Sequence, residues 1–162
     1  DIIDKVVVVW LGGNEVKLES NAGEFNMDQD FNATRVLFES DVALVQYPAN
    51  CVTSTLWINE NTMREELTAG ENPLCSYLHR FFLWLKGEKE NYGRIIWDIA
   101  GSGCFTVPEA TTFLIQEKPA LHPQDYTYDF SSCGGKKMIY ADAIDPHGII
   151  RDMFERIKKI GK

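Results

Sequence analysis

Three sets of residues in the 162-residue sequence have types and spacings that can do chemistry. Glu24 and Asn26 stand two apart, with Phe25 between them, where a polar stretch gives way to a helix-forming one. A carboxylate and an amide at a loop–helix junction can both hydrogen-bond hydroxyl groups, which suits a sugar better than an apolar ligand. Loop polarity and helix capping account for the same pair. Asp98 is bracketed by Ile95, Ile96, Trp97, Ile99 and Ala100. A carboxylate in an apolar run must be paired, used as a cap or bound to a metal, because burying an unpaired charge is costly. Two uses fit it: N-cap of a helix starting at Ile99, or a hard-oxygen ligand of the kind Ca²⁺ takes. Trp97, directly before it, is either a core residue or a face on which a planar base can stack.

Other chemistries are not legible. His79 falls mid-helix among apolar positions and reads as a partly buried structural group, while His122 and His147 lie beside prolines in loops. No Ser/His/Asp, Cys/His or His-Glu-x-x-His arrangement is present. Gly101-Ser102-Gly103 lacks the lysine of a phosphate-binding loop, and Cys133-Gly134-Gly135 reads as a turn. The formal charge of −8 argues against nucleic acid or an anionic membrane surface as partner, since both need clustered Lys and Arg. The longest apolar runs, residues 6–11 and 81–85, fall short of the ~20 residues of a membrane span. The opening residues carry no signal-peptide pattern. Cys51, Cys75, Cys104 and Cys133 are scattered, which points to reduced thiols in a cytoplasmic protein.

The elements that must position these residues follow an α/β order. Val6 to Trp10 is apolar on both faces, the pattern of a parallel strand covered on both sides and flanked by neighbours at both edges. Opening on Asp1 and reaching such a strand at once is the expected look of a processed or truncated piece. The alternative is a mature chain that starts at a sheet edge. Gly12 and Gly13 end the strand, and residues 15–23 read as loop. Asp28 is placed to cap a helix over residues 30–40, whose Phe31, Ala33, Val36, Leu37 and Phe38 form one face. A second buried strand at residues 42–45, closed by Pro48, completes a βαβ unit. Helices are predicted at 59–67, capped by Asn59 or Asn61, and at 74–86. Strand-like pieces follow at 111–115, 126–130 and 138–141. Asp145-Pro146 opens a last helix over 148–160, with basic residues in its final turn. No linker or repeat divides residues 1–162, which read as a single α/β unit.

These segments, in order, resemble the nucleoside hydrolase family. Val9-Trp10-Leu11-Gly12-Gly13-Asn14 looks like the strand that ends in the family's Met-Gly-Gly stretch. Gly23-Glu24-Phe25-Asn26-Met27-Asp28, followed by Ala33, Val36, Leu37 and Ser40, looks like the Glu-Phe-Asn motif and its helix. Asp41-Val42-Ala43-Leu44 looks like the next strand, and Trp97-Asp98-Ile99-Ala100 like the late motif with the last calcium ligand. The resemblance implies part of a mostly parallel, Rossmann-like sheet with flanking helices. It also implies hydrolysis of the N-glycosidic bond of ribonucleosides. In the family, Ca²⁺ holds the ribose 2′ and 3′ hydroxyls and a nucleophilic water, an aspartate acts as base, and the transition state is oxocarbenium-like. By the same resemblance Glu24 and Asn26 hold ribose hydroxyls, Asn14 does likewise, Phe25 and Trp97 join them as substrate-binding residues, and Asp98 is a calcium ligand.

Two departures qualify what the resemblance implies. Many relatives carry His before the last aspartate, as acid for the leaving base. Trp97 stands there instead, as in the purine-preferring subgroup, where stacking on Trp makes the base a better leaving group. The family's N-terminal Asp-x-Asp-x-Gly-x-Asp-Asp cluster is absent, so the chain resembles the C-terminal half and contains no catalytic base. The expected partners are a ribonucleoside, the missing N-terminal half, and further copies of the chain in a dimer or tetramer. The alternative is a non-catalytic sugar-binding or scaffold relative lacking the aspartate cluster. A third reading is a relative acting on another glycoside.

Overall fold

The computed structural model describes residues 2–16, 24–67 and 72–160. Its elements are β1 (Val7–Leu11), α1 (Phe25–Gln29), α2 (Phe31–Glu39), β2 (Ala43–Tyr47), β3 (Trp57–Asn59), α3 (Glu60–Leu67), α4 (Pro73–Lys86), β4 (Gly93–Ile95), α5 (Ile99–Thr106), β5 (Thr111–Glu117), β6 (Ala120–Leu121), β7 (Tyr128–Asp129), β8 (Lys137–Ile144) and α6 (Pro146–Lys159). They fall into two units, Asp1–Ser54 with Thr111–Ile144, and Thr55–Ala110 with Asp145–Lys162. None of the described helices is long and apolar enough to cross a membrane.

The first unit is built on a mixed, mostly parallel sheet of order β1-β2-β8-β5. β1 runs parallel to β2 with Val7 opposite Ala43, and β2 runs parallel to β8 with Val45 opposite Ile139. β5 closes the sheet antiparallel to β8, with a bulge between Thr112 and Phe113. The strand–helix–strand order read from the sequence is therefore a parallel crossover. Its inner strand, however, is β2 and not β1. Leu44, Val45, Gln46 and Tyr47 are all buried, whereas β1 has one neighbour among the described strands and leaves Val7 60% exposed. A run of valines reports apolarity on both faces but not the number of edges that are paired. Residues 17–23 of the expected loop lie outside the described residues.

Helices α1 and α2 cover one face of this sheet. Met27 and Phe38 join Leu44, Leu121, Met138 and Tyr140 in one core, and Trp10 meets Phe38 edge-on at 5.9 Å between ring centroids. The cap expected at Asp28 belongs to Asp30, whose carboxylate accepts from Ala33 N at 2.9 Å. Asp28 lies inside α1, because Glu24 has already started a separate short helix. Lys118 is buried at 3% exposure and donates to the carbonyls of Leu37, Ser40 and Val42, closing the C-terminal end of α2. A cation there complements the partial negative charge of the helix end. Burial holds its ammonium below the usual lysine range.

The second unit is mainly helical. Ile58, Met63, Leu67, Cys75, Phe82 and Phe154 form its core between α3, α4 and α6. Asn59 Oδ1 accepts from Thr62 N at 3.0 Å and caps α3, as expected. Asp145 caps α6, Pro146 sits in its first turn, and Arg156, Lys158 and Lys159 fill its last. A two-stranded antiparallel ribbon, β3 with β4, is an element that sequence periodicity does not predict, since three residues are too few to show a period. All four cysteines are free thiols.

Candidate functional site

In open parallel sheets, ligands are held beyond the carboxyl ends of the strands. The carboxyl end of β1 is the turn Gly12-Gly13-Asn14, and its main chain is held on every side within the first unit. Gly12 N donates to Tyr47 O at 3.1 Å, and Ala49 N donates to Gly13 O at 2.8 Å. Asn26 Nδ2 donates to Leu11 O at 2.9 Å. Gln46 Nε2 donates to Gly12 O at 2.9 Å, and Tyr128 Oη donates to Asn14 O at 3.3 Å. Gly13 has φ +68°, the left-handed region that favours glycine, and a Cβ there would stand 2.1 Å from Tyr128 Oη.

Glu24 is only 6% exposed, and its carboxylate is turned onto main chain. Oε1 accepts from Asn26 N at 3.0 Å, while Oε2 accepts from Met27 N at 2.8 Å and from Gly13 N at 2.7 Å. It therefore caps α1 and ties that helix to the turn after β1. The capping role open at the sequence level is one this residue performs. Asn26 is tied to the same turn through one N–H of its Nδ2, which leaves Oδ1 and the second N–H to offer to a hydroxyl. Phe25, between them, is 71% exposed, whereas Asn14 is buried. The structure thus brings Asn14, Glu24 and Asn26 together around one turn. Gln46 and Tyr128 join them there, and sequence reading missed both. Gln46 is hidden in a strand of otherwise apolar or aromatic residues, and Tyr128 arrives from more than eighty positions away. Burial pushes the Tyr128 hydroxyl well above the usual tyrosine range, so it stays protonated as a donor.

Trp97 and Asp98 belong to the second unit, in the segment from β4 into α5. Asp98 stands at the N-cap position of α5, and that helix does begin at Ile99. Its backbone is already helical, at φ −72° and ψ −16°, and its carboxylate makes no cap bond. The capping alternative for Asp98 is therefore not the one realised. Asp98 is exposed, not buried as its apolar neighbours in sequence suggest, and is among the residues lining a cavity of about 420 Å³ together with Trp97, Phe81, Phe82, Met63 and Arg94. The lining is mostly aliphatic and aromatic, with Asp98 and Arg94, both exposed, as its charged residues. That combination fits a flat, largely apolar ligand with a polar edge.

A calcium ion takes about six to eight oxygen ligands. Among the described residues, no group of three or more His, Cys, Asp or Glu side chains is placed to hold a metal ion. The donor set around Asp98 in this chain does not fit calcium by itself.

No family model matches the sequence, and no curated protein matches it. Among solved structures, the chain is similar to a plant nucleoside hydrolase, at 14% identity and a TM-score of 0.70, over 90% of this chain and 51% of that one. It is similar also to the inosine-uridine preferring nucleoside hydrolase from Bacillus anthracis, at 12% identity and a TM-score of 0.72, over 98% of this chain and 54% of that one. The chain spans about half the length of these structures. At such identities the likeness is one of fold, and over most of its length the chain has the fold of the nucleoside hydrolases.

Proposed function

We propose that this chain is the C-terminal half of a nucleoside hydrolase, carrying the nucleobase cavity and the sugar-binding turn but not the catalytic base. The observation that carries the reading is the second unit's cavity, where Trp97 and Asp98 share aromatic and aliphatic walls in a chain with this fold. The reaction is hydrolysis of the bond between ribose C1′ and the base nitrogen. Water adds its hydroxyl to C1′, and the base leaves with the bonding electron pair and takes up a proton. Trp97 offers a face on which a departing purine can stack, which supports a purine preference. Positive charge builds on the ribose in the transition state, where carboxylates stabilise it. In the first unit, Asn14 and Asn26 offer amide groups to ribose hydroxyls, and Glu24 contributes chiefly by holding them. A metal-dependent enzyme needs carboxylates beyond those this chain groups together, so calcium belongs to this reading only with a second polypeptide segment that supplies them. Cytoplasmic nucleoside salvage by an oligomer is the setting that follows.

The second reading is a non-catalytic relative that binds the nucleoside without cleaving it. The absence of a carboxylate cluster among the described residues favours it. Both readings predict that the chain binds hypoxanthine and inosine, measured by calorimetric titration, and that Trp97→Ala abolishes binding of both. Failure of the wild-type chain to bind either would overturn both. Denaturing intact-mass analysis of the purified material, followed by an inosine cleavage assay, separates them. Hydrolysis that accompanies a second, aspartate-rich polypeptide supports the first, and binding without hydrolysis in its presence supports the second.

A further inference from the structure

We infer that Gln46 and Tyr128 are positioning residues that set the Gly12–Asn14 turn for ribose recognition, a deepening that rests on the proposed nucleoside reading. Gln46 is fully buried in the inner strand β2, between apolar neighbours. Its Nε2 makes two bonds, to Gly12 O at 2.9 Å and to Tyr128 Oη at 2.8 Å. Its Oε1 is buried with no hydrogen-bond partner among the described residues. A buried acceptor left unpaired is a standing cost that a methionine or leucine at this position would not incur. The amide is therefore retained for its two donor bonds. Turning it over would set Oε1 against the Gly12 carbonyl oxygen and lose that bond.

Tyr128 completes the relay. Its hydroxyl accepts from Gln46 and donates to Asn14 O, while its ring stacks on Phe38 at 6.0 Å and meets Phe130 at 6.3 Å. A phenylalanine would satisfy both ring contacts. What the hydroxyl adds is a fixed height for Asn14, and with it the placement of the Asn14 amide. The hydroxyl also stands where a side chain at position 13 would be, which keeps that position glycine and the turn in its left-handed form. Gln46 and Tyr128 thus act through Asn14 and need no contact with a ligand of their own.

The test is Tyr128→Phe in the full chain, titrated calorimetrically with inosine and with hypoxanthine. The expected result is a melting temperature only a few degrees lower, as two lost hydrogen bonds require, hypoxanthine affinity equal to wild type, and an inosine affinity about tenfold weaker, so that the sugar's share of the binding is lost. A variant that keeps the wild-type ratio of inosine to hypoxanthine affinity overturns the inference and leaves the nucleoside reading standing. Equal weakening of both ligands overturns it too, because that is the mark of a general structural role. Wild-type protein that binds neither ligand overturns the nucleoside reading and this inference with it. Should Tyr128→Phe not fold, Gln46→Met carries the same comparison, since it keeps the volume and removes the two donor bonds together with the unpaired Oε1.

Discussion

Glu24 is the residue whose chemistry decides how the first unit is built. One carboxylate receives three main-chain N–H groups, two at the start of α1 and one from the turn after β1. Charge-assisted bonds of this kind are stronger than neutral ones, and a lost cap alone costs about 1 kcal/mol. Glu24→Gln keeps the shape but turns one acceptor oxygen into a donor that must face an N–H. It is expected to lower stability by roughly 1–3 kcal/mol, read as a drop in the urea midpoint at constant slope. An unchanged midpoint combined with lost inosine binding would instead mean that the carboxylate serves the ligand directly. That Glu24 and Asn26 share one loop–helix junction was legible in the sequence, and the resemblance adds Asn14 to them. Their partners were not, because they are the main chain of residues 11–13 and the side chains of Gln46 and Tyr128. Contacts that join positions 13, 46 and 128 leave no trace in local spacing.

In the second unit the side chain of Asn72 joins the start of α4 to the end of α6. Asn72 Oδ1 accepts from Leu74 N at 2.8 Å and caps α4, while its Nδ2 donates to Ile157 O at 3.1 Å and to the carbonyls of Lys158 and Ile160 at the end of α6. Asn72→Ala removes both functions and is expected to cost about 2 kcal/mol in a thermal melt followed by circular dichroism. Asn72→Asp separates them. It keeps the cap at α4 but brings a negative charge to the carbonyl end of α6, where a helix disfavours it. It should be no more stable than Asn72→Ala, and a variant as stable as wild type would show that the α6 contact contributes nothing. The two helices themselves were legible: the apolar face of 74–85 repeats at helical spacing, and Asp145-Pro146 opens the last helix. The shift of the α2 cap from Asp28 to Asp30 was not. Both are good caps, and only the break at Asp30, with φ −153°, decides between them.

At the scale of the whole molecule, alternation and runs of apolar residues established an α/β chain with a parallel crossover, but not the strand order. The sequence places β8 far from β2, yet it lies beside β2 as the third parallel strand, because Tyr140 and Met138 complete the core that Leu44 begins. That arrangement has a consequence in alkaline solution. Tyr140 is 1% exposed, and burial pushes its hydroxyl from 10.0 up to about 12, while its oxygen accepts from Val16 N at 3.2 Å. Between those two values the unfolded chain has released this proton and the folded chain has kept it. The folded state therefore binds more protons, and stability must fall as pH rises through the window from 10.0 to about 12. Tyr128, raised for the same reason, acts in the same direction. Lys118 acts in the opposite one, since its lowered value makes folding more favourable as pH rises, but its window ends at 10.5, so it does not mask the tyrosines above that pH. Urea midpoints measured across this range should fall steeply for the wild-type chain and more gently for Tyr140→Phe, which loses the bond to Val16 at every pH but has no proton to release. Parallel slopes for the two would mean that Tyr140 ionises as freely in the folded sheet as in the unfolded chain.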